Sequence, residues 1–556
     1  MRKARSIIPL LVALTGLVIL NGLSSILFTR IDMTQDRRYT LSPAALNTVE
    51  GLNGEVVVDV LLEGPLPAEF VKLQSETRQL LEEFRAANRN IRINFLDPLE
   101  GEADAEAVMA NLQAMGLNPV NVTVEEKGSV AREILFPWAL VNYGEKTVKV
   151  ALLKNKLGST PEERINNSVQ NLEYAFADAF TKLRLREKKQ VAVIKGNGEL
   201  EDIYLVDYLT TIREYYNIGA ITLDSVATNP QKVLDQLNAY QLALIAKPTE
   251  AFTDEEKYVL DQYMVQGGKT IWLIDKVAME LDSLFNEAGS AMALARNLNL
   301  EDLLFRYGIR INPVLVNDLY FTQIVLASGE GSSATYDPVP WYYHPMVFSN
   351  NNHPINNNTE AVRFQFANTI DTLANPYRKT VIYDSSPLSK TDGVPKIIGL
   401  QLIKSPPERD SYNNGRQPLA VLVEGEFKSA YANRMKPLSL TGALEQGPPN
   451  KMLVVADGDV IRNQLRNGRP LELGYDQWTN NYYGNKEFLV NAINYLLDDT
   501  GLIEIRTRTI EIPLLDQEKI AAQRGKWQLI NLAFPLLIIV LSGLLFNALR
   551  RRKYGH

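Results

Sequence analysis

Apolar and polar positions follow three rhythms along this chain, and each predicts a different kind of element. At the two ends, Ile7–Phe28 and Trp527–Leu549 contain no Asp, Glu, Lys or Arg. Either run is long enough to cross ~30 Å of hydrocarbon as a helix. Between them, short β-branched or wholly apolar runs read as strands, and i, i+3, i+4 stripes read as helices. Ser42 before Pro43 predicts an N-cap with proline at the first helical position, opening a short helix to about Val49.

In the first half of the middle, Glu55–Leu62 reads as a strand and Pro67–Asn88 as a helix with a stripe of Phe70, Leu73, Leu80, Leu81 and Phe84. Ile91–Leu96 is the next strand, and Ala103–Met115 a helix closed by Gly116. Val120–Glu125 and Trp138–Val150 add strands, and Pro161–Arg186 a long helix. The order β-α-β-α-β-β-α is that of a thioredoxin-like fold. The chain has no cysteine, so such a domain carries no redox pair and serves as a scaffold.

The next stretch alternates strand and helix: Gln190–Lys195, Leu200–Tyr216, Ala220–Leu223, Pro230–Ala239 and Leu242–Ala246. Thr253-Asp254-Glu255-Glu256 is a capping box opening a helix that ends at Gly267-Gly268, before the strand Thr270–Ile274. Leu300–Tyr307 and Pro313–Val316 add a helix and a strand. Alternation of this kind predicts a mostly parallel sheet covered on both faces, flavodoxin-like in type. From Asn317 to about Gly393 the rhythm dissolves into Gly, Ser, Asn, Pro and aromatics, which predicts a long insertion. Thr380–Tyr383, Ala420–Val423 and Met452–Ala456 then complete the sheet, and a helix over Lys486–Leu497 precedes Ile503–Ile512.

Expected boundaries are a tail and first span at 1–29, a thioredoxin-like domain at 30–188 and an α/β domain at 189–500. A connector follows at 501–526, then a second span and tail at 527–556.

Charge orients the ends. Arg2, Lys3 and Arg5 precede the first run and Arg550, Arg551, Arg552 and Lys553 follow the second, so the positive-inside rule places both tails in the cytoplasm. The bulk is then periplasmic, at the inner membrane. A cleaved signal peptide is the alternative for the first run, but Thr29-Arg30-Ile31-Asp32 supplies no small-x-small cleavage site. Asn21, Asn531, Ser542 and Asn547 are polar groups inside the two runs and are candidate contacts with partner helices in the membrane. The net charge is −7, the tails carry +3 and +4, and −14 remains on the middle, which argues against nucleic acid as a partner.

Catalytic inventory is thin. Without cysteine there is no thiolate nucleophile or metal ligand, and the histidines are His344, His353 and His556. No P-loop, no dinucleotide fingerprint and no Gly-x-Ser-x-Gly elbow occurs. No catalytic, cofactor or metal residue is therefore assigned. Gly196-Asn197-Gly198-Glu199 follows the first strand of the parallel sheet, where α/β folds often hold a ligand, and reads otherwise as a tight turn. Asp457-Gly458-Asp459 follows a later strand and offers two carboxylates, or an Asx turn. Together Asn197, Glu199, Asp457 and Asp459 form a candidate loop site. Trp341, Tyr342, Tyr343 and His344, with His353, are the candidate partner or ligand surface, or else rings that pin the insertion to the sheet.

These residues also carry a resemblance. The run Asp32-Met33-Thr34-Gln35-Asp36-Arg37-Arg38-Tyr39-Thr40-Leu41-Ser42 resembles the opening of the gliding motility-associated ABC transporter substrate-binding proteins (GldG) of the Bacteroidetes. Similar segments are Lys195–Leu200, Gly267-Gly268-Lys269, Asn352-His353-Pro354-Ile355, Val455–Asp459, Asn494-Tyr495-Leu496 and Arg506-Thr507-Arg508, with the Asn531 run and its basic tail. The resemblance implies an auxiliary subunit working with a multi-span permease and a cytoplasmic ATPase. It further implies a core similar to class I glutamine amidotransferases and intraflagellar-transport proteins. An amidotransferase needs a Cys nucleophile after a central strand, where this chain reads Lys247-Pro248-Thr249, so that activity is excluded. The expected role is a non-catalytic coupling or scaffold subunit. The alternatives are a solute-binding module with a cleft between the two α/β domains, or an envelope hydrolase using carboxylates.

Overall fold

A computed structural model describes residues 12–18, 21, 40–100, 105–126, 129–154, 157–185, 187–328, 335–508 and 517–554. Most of the expected first span lies outside them; residues 12–18 and Asn21 are helical. The chain divides into two units, 1–509 and 510–556.

Ser42 accepts a bond from the Ala45 amide and opens α1 (Pro43–Val49), with Pro43 in the first turn. β1 (Val56–Val60) leads to α2 (Ala68–Ala87), which buries Phe70, Leu73, Thr77, Leu81 and Phe84. Leu80, expected on that stripe, is only half-buried, and the small Thr77 holds the inner face instead. β2 (Ile91–Phe95) and α3 (Ala105–Ala114) follow, then a separate hairpin of β3 (Val120–Glu126) and β4 (Ser129–Leu135). The strand expected over Trp138–Val150 is two, β5 (Trp138–Tyr143) and β6 (Lys146–Ala151), because Gly144 at φ 58° turns the chain between them. The sheet order is β2-β1-β5-β6, with β1 parallel to β2 and the other pairs antiparallel. α4 (Pro161–Arg184), opened by a Thr160–Glu163 capping box, covers it, and Phe84 meets Phe180 edge to face at 5.0 Å.

The larger sheet begins with β7 (Gln190–Lys195), α5 (Val206–Ile212), β8 (Asn217–Thr222), α6 (Pro230–Asn238) and β9 (Leu242–Ala246). α7 (Asp254–Val265) opens on the reciprocal Thr253–Glu256 capping box, and β10 (Lys269–Leu273) follows. After α8 (Glu301–Arg306), the stretch whose rhythm dissolves is largely strand: β11 (Val314–Asp318), β12 (Phe321–Ser328), β13 (Thr335–Val347), β14 (Val362–Arg363), β15 (Arg378–Asp384) and β16 (Ser389–Gly393). Pro338, Pro340 and Pro345 within β13 hide it from a pattern search, since proline argues against a ladder strand. β13 pairs with β12 and, at its end, with β14, and β11 pairs with β16. β17 (Pro418–Lys428), β18 (Gln446–Val455) and α9 (Asn485–Leu497) return to the main body.

The main sheet runs β15-β17-β18-β10-β9-β7-β8, parallel from β18 to β8 and antiparallel at β17 and β15. One face packs Ala192, Ala243, Trp272, Val421 and Val454 against α6, α7 and α8. The opposite face, with Val193, Leu244, Ile271 and Leu453, is equally buried, and Tyr208 of α5 donates to the Leu489 carbonyl of α9. Burial on both faces is why these strands read as continuous apolar runs.

A short segment, Leu502–Thr507, ties the α4 body to the main sheet. Arg506 donates to Glu487 Oε1 at 2.8 Å, and Lys154 pairs with the same carboxylate at 2.6 Å. Arg508 pairs with Glu173 of α4 at 2.7 Å. In the second unit, α10 (Gln517–Tyr554) contains an apolar stretch, Ala522–Lys553, that by length and composition can cross a membrane.

Candidate functional site

Three parallel strands, β9, β10 and β18, end side by side and deliver charged residues into their C-terminal loops. Lys247 directly follows β9, at φ 55°, a backbone region that side chains other than glycine rarely adopt. Its ammonium lies 2.7 Å from Asp459 Oδ2, 2.7 Å from Glu280 Oε1 and 3.4 Å from Asp275 Oδ2. Gly458 is required here, because a Cβ on it would sit 2.7 Å from the Lys247 Cβ. The Gly458 amide donates to Asp275 Oδ1 at 2.5 Å, and the Asp459 amide to Asp457 Oδ1 at 2.7 Å. Asp457 Oδ2 accepts from the Gln365 amide at 2.6 Å, which attaches the insertion to the sheet.

The electrostatics follow from burial. Desolvation, then the neighbouring Asp275 and Asp459, push the Asp457 carboxyl well above the ordinary range. Burial raises Asp275 to about 6 against the opposing pull of Lys247. Burial works to lower Lys247, but Asp459, Asp275 and Glu280 outweigh it and hold the lysine charged. A lysine so held is neither base nor nucleophile at neutral pH. Asp275, Glu280 and Asp459 bring three carboxylate oxygens within 4.8 Å of one another, the start of a cation cage. The Lys247 ammonium already sits among them, and three ligands fall short of the six to eight that Ca²⁺ takes.

Beside this cluster opens a polar cleft of about 410 Å3. Its walls come from the sheet loops (Tyr204, Glu280, Asp459, Arg462), from the insertion (Gln323, His344, Arg363, Gln365) and from the Asp476–Trp478 turn. Arg462 lies over the Tyr204 ring at 4.5 Å and only 3.5 Å from Asp459 Oδ1. Burial and the Arg363 charge push the His344 imidazole well below its ordinary value, so it is neutral. At the seam between α4 and the main sheet a smaller cavity of about 180 Å3 lies among Tyr174, Tyr215, Tyr216 and Leu497.

The residues expected to matter fall in five places. Asp457, Asp459 and His344 converge on the cluster and cleft. Asn197 and Glu199 lie at the end of β7, where Asn197 Nδ2 donates to Glu256 Oε2 at 3.1 Å and the Asn197 carbonyl accepts the Thr249 and Glu250 amides. Gly198 there is at φ 69°. Trp341 and Tyr343 alternate onto the inner side of β13 and are 1% and 2% exposed; with Phe366, Leu315 and Ile324 they form a second core rather than a solvent-facing surface. Tyr342 is half-buried against Phe321. His353 does not line the cleft; its ring packs tilted by 57° against Tyr495 at 4.8 Å. On α10, Asn531 and Ser542 are eleven positions apart and share one face to within about 20°, whereas Asn547 points about 140° away from Ser542. Asp275, Glu280 and Arg462 went unremarked in the sequence, and Lys247 was noted only as standing where an amidotransferase has its nucleophile. For Lys247 and Asp275 the signal was available: a charged residue just after an apolar parallel strand marks the ligand-facing edge of such sheets.

This is the architecture of a doubly covered α/β protein with an apolar C-terminal helix. Residues 188–492, more than half the chain, match the family described as "ABC-type uncharacterized transport system", and the chain belongs to that family. Residues 35–142 match a domain of unknown function. An uncharacterized protein of Borreliella burgdorferi is 18% identical over 549 residues, covering 97% of this chain and 95% of that protein. Among solved structures, the mmIFT52 N-terminal domain aligns with 56% of this chain and 99% of that one, at 13% identity. The TM-score of that superposition is 0.31.

Proposed function

We propose that the chain is a non-catalytic accessory subunit of an ABC-type transport system, held at the inner membrane with its bulk in the periplasm and both tails in the cytoplasm. It works with a separate permease and, through it, a cytoplasmic ATPase, in a complex that serves gliding motility. Family membership carries the transport reading, together with the apolar α10 and its basic end. Its non-catalytic character is supported at the turn after β9. Where an amidotransferase presents its nucleophile, this chain places a lysine held charged by three carboxylates. The order β2-β1-β5-β6 supports a thioredoxin-like reading of 30–188, and the parallel order from β18 to β8 an amidotransferase-like or flavodoxin-like reading of 189–500.

Purification of the full chain from its native membrane in mild detergent tests the subunit role. A permease and an ATPase are expected to co-purify in fixed ratio. Recovery of the chain alone, under conditions that keep other ABC complexes whole, refutes the proposal. A second reading, a solute-binding module, draws on the 410 Å3 polar cleft, although that cleft lies within 189–500 and not between the two α/β domains as expected.

A further inference from the structure

The polar cleft beside the Lys247 cluster holds hydrogen-bonding groups of both kinds that the protein leaves unmatched. Asp459 Oδ1 is buried without a hydrogen bond, and so is His344 Nε2, on side chains 95% or more buried. Arg363 and Arg462 face the same space with guanidinium groups whose ion pairs are long, 3.6 Å to Asp476 and 3.5 Å to Asp459. Carboxylates only accept and guanidinium groups only donate, while a neutral imidazole and the Gln323 and Gln365 amides do both. An anionic ligand there would meet Glu280, Asp459 and Asp476; a cationic one would meet the two arginines. A neutral hydroxyl group, donor and acceptor at once, satisfies either wall.

The rim supplies the other half of the chemistry. Trp478 lines the cleft yet is 60% exposed, and its indole stacks on Tyr336, itself 61% exposed, at 6.0 Å and 20°. Two large flat rings held in the open are unusual, because burying either would remove on the order of 150–250 Å2 of apolar surface from water. A rigid aromatic platform beside a floor of mixed donors and acceptors matches a ring with apolar C–H faces and a hydroxylated edge. The cleft volume lies within the roughly 300–1,000 Å3 usual for small-molecule sites.

We infer that this cleft is a saccharide site, taking a neutral mono- or disaccharide with its ring face on Trp478 and its hydroxyls toward Asp459, His344, Arg363 and Arg462. The inference gives a ligand class to the cleft named by the solute-binding reading, and it stands or falls separately from association with a permease. A chain that binds sugar yet purifies alone would refute the subunit role and leave this site intact.

Isothermal titration calorimetry on the detergent-purified full chain tests it, with glucose, N-acetylglucosamine and cellobiose as probes, and inorganic phosphate and spermidine as charged competitors. At least one sugar is expected to bind saturably at millimolar concentration or below, undisturbed by either competitor. Trp478→Ala and Gln323→Ala change exposed side chains, so both variants should keep the wild-type hydrogen-exchange pattern outside the cleft. Trp478→Ala should weaken binding at least about tenfold. Failure of all three sugars to bind overturns the inference. So does binding that phosphate or spermidine displaces, or affinity unchanged in Trp478→Ala.

Discussion

Replacing Lys247 by methionine removes one ammonium and keeps most of the stem, leaving Asp275, Glu280 and Asp459 to face one another. Removing one partner of a buried ion pair costs about 3–5 kcal/mol, because the remaining charge is stranded away from water. The variant has an escape, since Asp275 already titrates at about 6 with the lysine present and will hold its proton to higher pH without it. The unfolded chain releases that proton near pH 4, so above pH 6 the folded variant carries one proton more than both its unfolded state and the wild-type fold. Its stability relative to wild type then falls as pH rises above 6, with a limiting slope of about 1.4 kcal/mol per pH unit for as long as the proton is held. A chain with several bodies does not unfold in one step, so the readout must be local. Hydrogen–deuterium exchange of the peptides covering β9 and β10, corrected for intrinsic rate, supplies it. Expected is lost protection in both strands, worse at pH 8 than at pH 6. Wild-type protection in Lys247→Met, or a loss that does not grow with pH, would refute the view that this lysine offsets the burial of Asp275.

Two other predictions concern the insertion and acid. Trp341→Ala empties the centre of the second core at a local cost of about 3–5 kcal/mol, read as lost hydrogen-exchange protection in the peptides covering β12 and β13; a local loss below about 1 kcal/mol would mean the indole is not a core group. His353 is held near 4, first by burial, and its Nδ1 accepts from the Ile355 amide at 3.3 Å. Because the unfolded imidazole protonates near 6.5, its contribution is present above that pH and lost as pH falls toward 4. With the solvent-open part of the ring discounted, this is about 1–2 kcal/mol. His353→Asn keeps an acceptor and does not titrate, so its stability should decline less than wild type from pH 6.5 to 4; parallel declines would remove the histidine from the account.

What was legible in the chain was what local chemistry decides. Leu242–Ala246 reads as a buried parallel strand because every residue is apolar, and the Thr253 and Ser42 caps announce their helices within four residues. β13 was not legible, because its prolines and clustered rings carry no period, and its place is set by partners in β12 and β14. The cleft was hidden for a related reason. Tyr204, Gln323, His344, Arg363 and Asp459 are brought together by sheet order and by the Gln365–Asp457 bond, neither of which has a signature in spacing. The aromatic cluster shows the reverse failure: its composition suggested recognition, but alternation along a strand places Trp341 and Tyr343 inside.

The Leu502–Thr507 segment is also a mechanical part. Arg506 grips the loop between β13 and β14 and the start of α9 through the Asn357 carbonyl and Glu487, and Arg508 grips α4 through Glu173. Tension applied along the chain toward α10 therefore loads the α4 body and the main sheet side by side rather than one through the other. In that arrangement neither body is a hinge for its neighbour, and the segment acts as a common tendon whose charged knots would be the first points to yield.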